Sequence, residues 1–284
     1  MRLLSYNIQY GFGQDGVYDL SRAAAVIQSA DIAALQEVDR HWSRSHHDDQ
    51  PALLTALLPD HFTAFAAGFD MAAPTPQDRN RRRQFGPMLA SRWPIVWTRA
   101  HLLPLQRMLD PLNTQTCALE ACIDAPSGPL RVISLHLAHV GVAERLAQID
   151  HLARATDPTQ GGPWSGTDDE PQRNWTEHQP EPPCPAPAIW LGDFNLEPGS
   201  AEYLRLTGQT PYHPGARYAS GLVDAVAHCG TTLHTHEKTI AGVQRLRQLD
   251  HCFVTPDLAP RITRAWSDAT QTASDHFPLW VELI

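Results

Sequence analysis

The residues most suited to chemistry lie where short apolar runs of this sequence end. One example is the segment 190–198, WLGDFNLEP, in which Asp193 and Asn195 are two positions apart. In an extended chain, side chains at i and i+2 point to the same face, so this carboxylate and carboxamide would share one surface. A strand that simply ends in a turn is the alternative, because Asp, Asn, Gly and Pro all favour turns.

The same arrangement recurs in five other segments of the chain. Each places a polar side chain at the end or start of an apolar run, and the residues concerned are Asn7, Glu37, His136 with His139 close behind, Asp250, and the pair Asp275–His276. Loops at strand ends are where a rigid sheet can gather side chains from distant parts of a chain. Each residue also has an ordinary alternative, such as a strand cap for Asn7 or a buried packing role for His136.

These residue types are suited to metal-assisted cleavage of a phosphoester. Carboxylate and carboxamide oxygens are hard ligands that match Mg²⁺ or Mn²⁺, and Glu37 is the best candidate ligand. A histidine held by an acid can act as a general base toward water, and Asp250 with His276 would form such a pair. Donors such as Asn195 and His136 could stabilise the charged phosphorus centre.

Composition and charge limit the class of protein. The chain has 284 residues, of which 42% are hydrophobic and 19% charged, and a formal net charge of −9. That charge disfavours nucleic acid as a substrate, although a local basic patch would still permit a nuclease. We expect neither a secretory signal nor a membrane span, because the N-terminal stretch MRLLSYNIQYG has no long apolar region and no window approaches 18 consecutive apolar residues. Five cysteines without a CxxC pair indicate thiols in a reducing cytoplasm. No feature predicts a protein partner.

The elements that must position these residues are mostly strands. Asp19 is a predicted N-cap for a helix whose apolar face runs from Ala23 to Ile27, and the four-three-four spacing from Val142 to Ala153 predicts an amphipathic helix. Further helices are expected at 51–58 and 200–206. Strands are expected at 2–8, 32–38, 62–67, 85–90, 96–103, 115–123, 130–138, 188–193, 249–254 and 279–284. Many strands with few helices predict a mixed-sheet α/β sandwich and not a parallel doubly wound sheet.

A proline-rich segment interrupts this pattern. Residues 157–187 contain eight prolines and six acidic residues without periodicity, so we expect a long surface loop. It is either a disordered insertion or a lid that carries Trp164 and Trp175 over a site. With no internal repeat and no linker, residues 1–284 are predicted to form one domain with an insertion at about 157–187.

Six motifs in order along the chain carry a family resemblance. YNIQYG, LQEVD, SLHL, GDFN, LDHCFV and SDHFP together resemble the endonuclease/exonuclease/phosphatase (DNase-I-like) superfamily, in its branch of bacterial metal-dependent hydrolases. The resemblance implies a four-layer sandwich of two mixed β-sheets flanked by helices. It also implies that Asn7, Glu37 and Asp275 hold a divalent cation, Mg²⁺ or alternatively Mn²⁺.

The resemblance assigns the remaining candidate residues as well. It implies that Asp193 and Asn195 act around the scissile phosphate, that Asp250 braces His276, and that His276 activates water or stabilises the phosphorane. His136 matches a histidine that contacts phosphate and assists the leaving oxygen.

The substrate is expected to be a phosphoester, most simply a small or lipid-derived phosphodiester hydrolysed by attack of water on phosphorus. A nuclease acting on DNA or RNA is one alternative, and an inactive phosphate-binding module on the same fold is another. The run DRNRRRQ at 78–84 is either a solvated loop or a site that attracts anions. Arg81 and Arg82 of this run are therefore candidate substrate contacts. His139, close behind His136, is a further candidate, with a structural role as its alternative.

Overall fold

The computed structural model describes residues 1–110, 112–164, 166, 172, 176–210, 212–213 and 215–284. Within them the chain forms fifteen strands and five α-helices. The helices are α1 (Leu20–Ile27), α2 (Gln50–Leu57), α3 (Val142–Ala155), α4 (Ala201–Thr207) and α5 (Ala225–His228). The strands are β1 (Arg2–Asn7), β2 (Ile32–Arg40), β3 (Phe62–Phe65), β4 (Phe69–Ala72), β5 (Arg82–Ser91), β6 (Ile95–Leu102), β7 (Cys117–Ala125), β8 (Gly128–His136), β9 (Ala188–Asp193), β10 (Val223–Asp224), β11 (His236–Ile240), β12 (Val243–Arg247), β13 (Asp250–Val254), β14 (Ile262–Ser267) and β15 (Leu279–Leu283).

Most strands belong to two mixed sheets. The first has the order β14-β15-β1-β2-β5-β3, and β4 also pairs with β5. The second has the order β10-β13-β9-β8-β7-β6. One pair in each sheet is parallel, β1 with β2 and β8 with β9, and the other pairs are antiparallel. The parallel pairs place the carboxyl ends of β1, β2, β8 and β9 at one edge of the molecule.

The two sheets pack face to face with helices on their outer faces. Alternation along β1 shows how the layers form, because Leu3 lies in the core between the sheets and Leu4 lies in the core under the helices α1 and α2. On the other side, Ile149 and Leu152 of α3 pack with α4 against the outer face of the second sheet. This arrangement confirms the predicted four-layer sandwich.

The predicted helices are confirmed, and several strands were missed. Asp19 caps α1 by accepting from the backbone N–H of Ser21, and α2 begins within one residue of its predicted start. The strands β4, β10 and β14, the β11–β12 hairpin and the short helix α5 were not predicted. The hairpin sequences HEKTI and VQRLR are mostly polar, and apolar and polar residues do not alternate along them. Their pairing is set by backbone hydrogen bonds that composition does not reveal.

A glycine allows the two parallel strands of the second sheet to meet beside the site. A Cβ on Gly192 would lie 2.0 Å from the carbonyl oxygen of Leu135. This contact involves backbone that cannot move aside, so the glycine of the GDFN motif is needed for close packing of β9 on β8. Gly86 in β5 likewise allows close approach of backbone, here to Ala66, since a Cβ at Gly86 would lie 1.9 Å from the carbonyl oxygen of Ala66.

A buried ion network supports the second sheet. The carboxylate of Glu120 is fully buried and contacts Arg99, His101 and Arg131 at 2.8–2.9 Å. Burial raises the pKa of Glu120, but the hydrogen bond from His101 and the charges of the two arginines outweigh it and lower the pKa below its usual value. Glu120 is therefore ionised at neutral pH and balances cations inside the sheet.

The described part of the proline-rich segment packs on the second sheet away from the predicted site. The carbonyl oxygen of Pro183 accepts from Trp97 Nε1, and that of Pro185 accepts from Arg131 Nε. Trp175 lies outside the described residues, so the lid hypothesis stays a prediction. No helix among the described residues is long and apolar enough to cross a membrane.

Candidate active site

Side chains from the ends of β1 and β9 meet Glu37 at the edge where the parallel pairs terminate, although Glu37 lies within β2 and not at its predicted end. The amide Nδ2 of Asn7, at the end of β1, donates to Glu37 Oε1 at 3.1 Å and to Asp193 Oδ2 at 3.2 Å. Asn7 and Asp193 are 186 positions apart in sequence and belong to different sheets. Asn7 Oδ1 accepts from the backbone N–H of Gln9 at 3.0 Å. The carboxamide therefore holds the two carboxylates side by side and faces them with its nitrogen.

A β-bulge directs Glu37 toward this edge. The pairing of β2 with β5 shifts between Leu35 and Val38, where β2 has one residue more than its partner. Glu37 adopts φ of 59°, in the left-handed region that a residue with a side chain rarely occupies. The partner strand has Pro87 at this point, which has no N–H to donate to a regular ladder. Bulges turn side chains out of the strand pattern, and this one accounts for the position of Glu37.

The turn after β9 fixes the orientation of Asp193 and Asn195. Asp193 Oδ1 accepts from the backbone N–H of Asn195 at 2.9 Å. Asn195 has φ of 50°, and its Nδ2 donates to the carbonyl oxygen of Leu137 at 3.0 Å. The turn chemistry noted as an alternative thus exists, and it leaves Asp193 Oδ2 free to face the other site residues.

His276 is held by Asp250, as the sequence predicted. The Nδ1 atom of His276 lies 2.8 Å from Asp250 Oδ2, and both side chains are buried. The hydroxyl of Ser274 accepts from the backbone N–H of His276 and donates to the carbonyl oxygen of Asn7, which ties this loop to β1. Burial lowers the pKa of His276, but the charges of Asp250 and Asp193 outweigh it and raise the pKa to about 10.

Asp193 lies between two imidazole rings. Its Oδ2 is 3.5 Å from His136 Nε2 and 3.7 Å from His276 Nε2. Burial raises the pKa of Asp193, and the two histidines outweigh that effect and lower it. His136 Nδ1 is buried without a hydrogen-bond partner among the described residues. The arrangement therefore contains an ionised carboxylate with imidazole groups on both sides.

The donor set fits a divalent cation. Burial raises the pKa of Asp275, the charge of His276 opposes this effect, and the charges of Glu37 and Asp193 raise the pKa further. The carboxylates therefore repel one another, and a cation would relieve this repulsion. Asp275 also lies with His236 and His276 in a group whose ligand atoms are within 4.8 Å of one another. Carboxylate oxygens suit Mg²⁺ or Mn²⁺.

His236 was missed by the sequence analysis. It begins the β11 strand, and its ring centroid lies 4.9 Å from that of His276. Burial lowers the pKa of His236 to about 4, and the charge of His276 contributes, so its ring is neutral. In the sequence His236 is one of two histidines in the segment HTHEKT, in a chain with 15 histidines, so it did not stand out.

A cavity of about 270 Å³ opens beside the cluster. Glu37, His136 and His139 line it, together with Arg44, which the sequence analysis did not select. Arg81 and Arg82 are not among the lining residues. Arg82 Nε donates to Asp70 Oδ1 at 2.8 Å, and Arg81 Nη2 lies 2.9 Å from His47 Nδ1. The predicted arginine pair is thus engaged elsewhere, and its role toward substrate stays a prediction.

Comparison with known proteins identifies the family of this chain. The model of the Endonuclease/Exonuclease/phosphatase family matches residues 4–276. The chain belongs to this family. Members of the endonuclease/exonuclease/phosphatase family are phosphoester hydrolases that generally depend on a divalent metal. A sequence search among curated proteins finds no significant match.

Solved structures of the family share the fold along the whole chain. An endonuclease/exonuclease/phosphatase from Beutenbergia cavernae has 20% identity and a TM-score of 0.66, covering 100% of this chain and 71% of its own. One from Bacteroides vulgatus has 18% identity and a TM-score of 0.66, covering 100% and 98%. A mannosyl-6-phosphatase from Bacteroides thetaiotaomicron has 17% identity and a TM-score of 0.63, covering 100% and 99%. At these identities the similarity establishes the fold.

Proposed function

We propose that the protein is a divalent-metal-dependent phosphodiesterase that hydrolyses a small or lipid-derived phosphodiester. The observation that carries the proposal is the convergence of Asn7, Glu37 and Asp193 with the Asp250–His276 pair at one edge of the sandwich. In the reaction an oxygen of water bonds to phosphorus and the bond from phosphorus to the ester oxygen breaks. The proton of water must leave, and the departing oxygen must gain one.

Glu37 and Asp275 are the proposed ligands of the cation, which is Mg²⁺ or alternatively Mn²⁺. When bound, the cation supplies positive charge to the phosphoryl oxygens and opposes protonation of nearby groups such as His276. Asn7, predicted as a third ligand, presents its nitrogen to Glu37 and Asp193. In this orientation it positions the carboxylates, and rotation of its amide would present Oδ1 as a ligand.

Asp193 and His276 are the proposed groups for the attacking water and the charged phosphorus centre. Asp193 is ionised, so its Oδ2 can accept a hydrogen bond and then a proton from water. Asp250 holds Nδ1 of His276, which leaves Nε2 as the nitrogen that can donate to a phosphoryl oxygen or accept a hydrogen bond from water. Activation of water and stabilisation of the phosphorane are both proposed roles of His276.

His136 and Asn195 complete the proposed machinery. His136 Nε2 faces Asp193 and could donate to the phosphate or to the leaving oxygen. Asn195 uses Nδ2 to hold the turn after β9, so its part is to orient Asp193 and the backbone around it. The hydrogen bonds of Asn195 hold this turn in place before substrate binds, which is the preorganisation that such stabilisation needs.

A small or lipid-derived substrate is proposed over nucleic acid because of the protein's charge. The net charge of −9 repels a polyanion, and two of the four arginines in the run contact other residues, Arg82 with Asp70 and Arg81 with His47. We also propose one domain with an insertion at about 157–187, and a reducing, cytoplasmic location, which the free thiols of the five cysteines support.

Hydrolysis of bis-p-nitrophenyl phosphate with Mg²⁺, Mn²⁺ or EDTA tests the activity. Turnover that requires a metal and falls by at least about 10²-fold in His276→Ala supports the proposal. No turnover with either metal favours an inactive phosphate-binding module. A panel of plasmid DNA, glycerophosphodiesters, sphingomyelin and mannose 6-phosphate then separates nuclease, small diester, lipid and monoester substrates. Plasmid cleavage that falls steeply with salt would indicate a nuclease.

A further inference from the structure

The cavity beside the catalytic cluster has aromatic walls. Four aromatic side chains line it, those of Tyr10, Trp42, Phe69 and Phe85, and the proposed site residues Glu37 and His136 line the same cavity. A group attached to a phosphate at the cluster could therefore occupy the space beside these rings.

The rings are held in place before any ligand arrives. The indole nitrogen of Trp42 donates to the carbonyl oxygen of Gln84 at 2.7 Å, which fixes the plane of its ring. The ring centroids of Trp42 and Phe69 are 5.4 Å apart, and those of Tyr10 and Phe85 are 6.1 Å apart. These separations lie in the range of favourable aromatic pairs. The walls are thus rigid, which reduces the cost of ordering them on binding.

Arg44 already occupies the cationic position among these rings. Its guanidinium carbon lies 3.6 Å from the ring centroid of Tyr10 and 4.5 Å from that of Trp42. Its Nε and Nη2 donate to the buried carboxylate of Asp39 at 2.9 and 2.8 Å, so its charge is balanced within the protein. A quaternary ammonium group would have to displace Arg44 or lie beside a like charge. The cavity therefore favours a neutral ligand over a cationic one.

The size of the cavity indicates one ring system. At about 270 Å³ it is slightly smaller than the roughly 300–1,000 Å³ of sites that hold a whole drug-sized ligand. It suits a part of a substrate and not a long acyl chain. Flat walls formed by rings and a guanidinium are complementary to a flat ligand, since offset stacking is favourable for aromatic pairs.

We propose that this cavity is a specificity subsite that binds a neutral planar ring carried on one ester oxygen of the substrate. The inference rests on the proposed phosphodiesterase function and narrows its substrate to a small diester with an aromatic substituent. Trp42, Phe69 and Phe85 contact the ring, and Arg44 forms part of the wall on which it stacks.

A binding experiment tests the subsite without requiring turnover. Phenylphosphonate and methylphosphonate share the anionic group and differ in the ring, so calorimetric titration of each into the full chain with Mg²⁺ isolates its contribution. We expect phenylphosphonate to bind at least about tenfold more tightly, which corresponds to about 1.4 kcal/mol. Phosphocholine is the cationic probe and is expected to bind no more tightly than methylphosphonate.

The chain offers a matched control for the aromatic wall. Phe69→Ala removes a wall ring from β4 and should reduce the phenyl-to-methyl preference to below about threefold. Phe62→Ala removes a phenylalanine from the neighbouring strand β3, which does not line the cavity, and should leave the preference unchanged. Phe69→Leu, which keeps apolar volume without a flat ring, serves if Phe69→Ala does not fold.

Two diesters with the same leaving group separate failure of the subsite from failure of the function. Hydrolysis of p-nitrophenyl phenyl phosphate should exceed that of p-nitrophenyl methyl phosphate by about tenfold in kcat/KM. Equal hydrolysis of both, with equal binding of the phosphonates, overturns the subsite and leaves the function standing. If the parent protein shows no metal-dependent hydrolysis but still prefers phenylphosphonate, and Phe69→Ala loses that preference, the function is overturned and the ring site stands. Tightest binding of phosphocholine overturns the choice of a neutral ring.

Discussion

Replacing Asp250 with asparagine tests the most specific contact in the site. Asp250 is fully buried and lies 2.8 Å from His276 Nδ1, so water does not screen the interaction. Asparagine keeps the size of the side chain and removes the charge. Its carboxamide can also present a donor to Nδ1, which would leave the ring with the wrong proton arrangement.

The magnitude follows from what remains around His276 after the change. A positioned acid–base group contributes about 10²- to 10⁴-fold in rate, or about 2.7–5.5 kcal/mol at 1.36 kcal/mol per tenfold. Asp193 still lies 3.7 Å from Nε2 and supports part of the positive charge on the ring. We therefore expect a loss in kcat near the lower limit, about 10²-fold, with KM changed by less than about threefold.

Steady-state kinetics on bis-p-nitrophenyl phosphate with saturating Mg²⁺ measures this loss, and Mn²⁺ binding measured by calorimetry shows whether the metal site is retained. Asp224→Asn is the matched control, because Asp224 is also buried and accepts from Tyr203 Oη at 3.0 Å and from the backbone N–H of Val226 at 2.9 Å, away from the site. The control should lose stability without losing kcat in the folded fraction. If Asp250→Asn kept kcat within threefold of the parent, the proposed role of the pair would be refuted.

Three further changes probe the metal site, the strand contact and the buried ion network. Glu37→Gln should weaken Mn²⁺ binding by more than about tenfold in calorimetric titration, because it removes a charged ligand; an unchanged Kd would place the cation elsewhere. Gly192→Ala should lower the free energy of unfolding, measured in urea, by about 3 kcal/mol, because the added Cβ would lie 2.0 Å from the Leu135 carbonyl oxygen. Gly141→Ala is the control and should change the free energy of unfolding little, because no atom lies within 4 Å of the added Cβ. Glu120→Gln should lower the stability of the protein at neutral pH and make its loss of stability in acid less steep. The reason is that stabilisation from a lowered carboxyl pKa is present above the unfolded-state pKa and is lost as pH falls through the folded-state pKa. Thermal unfolding from pH 7 to pH 3 measures both effects, and parallel pH curves for variant and parent would contradict the prediction.

The sequence carried most of the information about where strands end and which groups lie there. An apolar run followed by Asp193 and Asn195 predicts a buried strand and then a polar turn. The preference of apolar residues for a buried strand and of Asp and Asn for a turn both act over a few neighbouring residues. The Asp19 cap and the face of α1 were predictable for the same reason. The β11–β12 hairpin was not predictable, since its mostly polar strands show no alternation of apolar and polar residues.

Only the tertiary structure decided which distant groups come within bonding distance. The bulge that turns Glu37 to a φ of 59° depends on Pro87 in a strand some fifty positions away, and no local pattern specifies it. Arg44, and not Arg81 or Arg82 of the arginine run, lines the cavity beside the site. Its position depends on Asp39 and on aromatic rings from separate elements. The chain itself determined the inventory of chemical groups and the ends of its strands. Their mutual positions arise from packing two sheets face to face, because such contacts depend on backbone geometry summed over the whole fold.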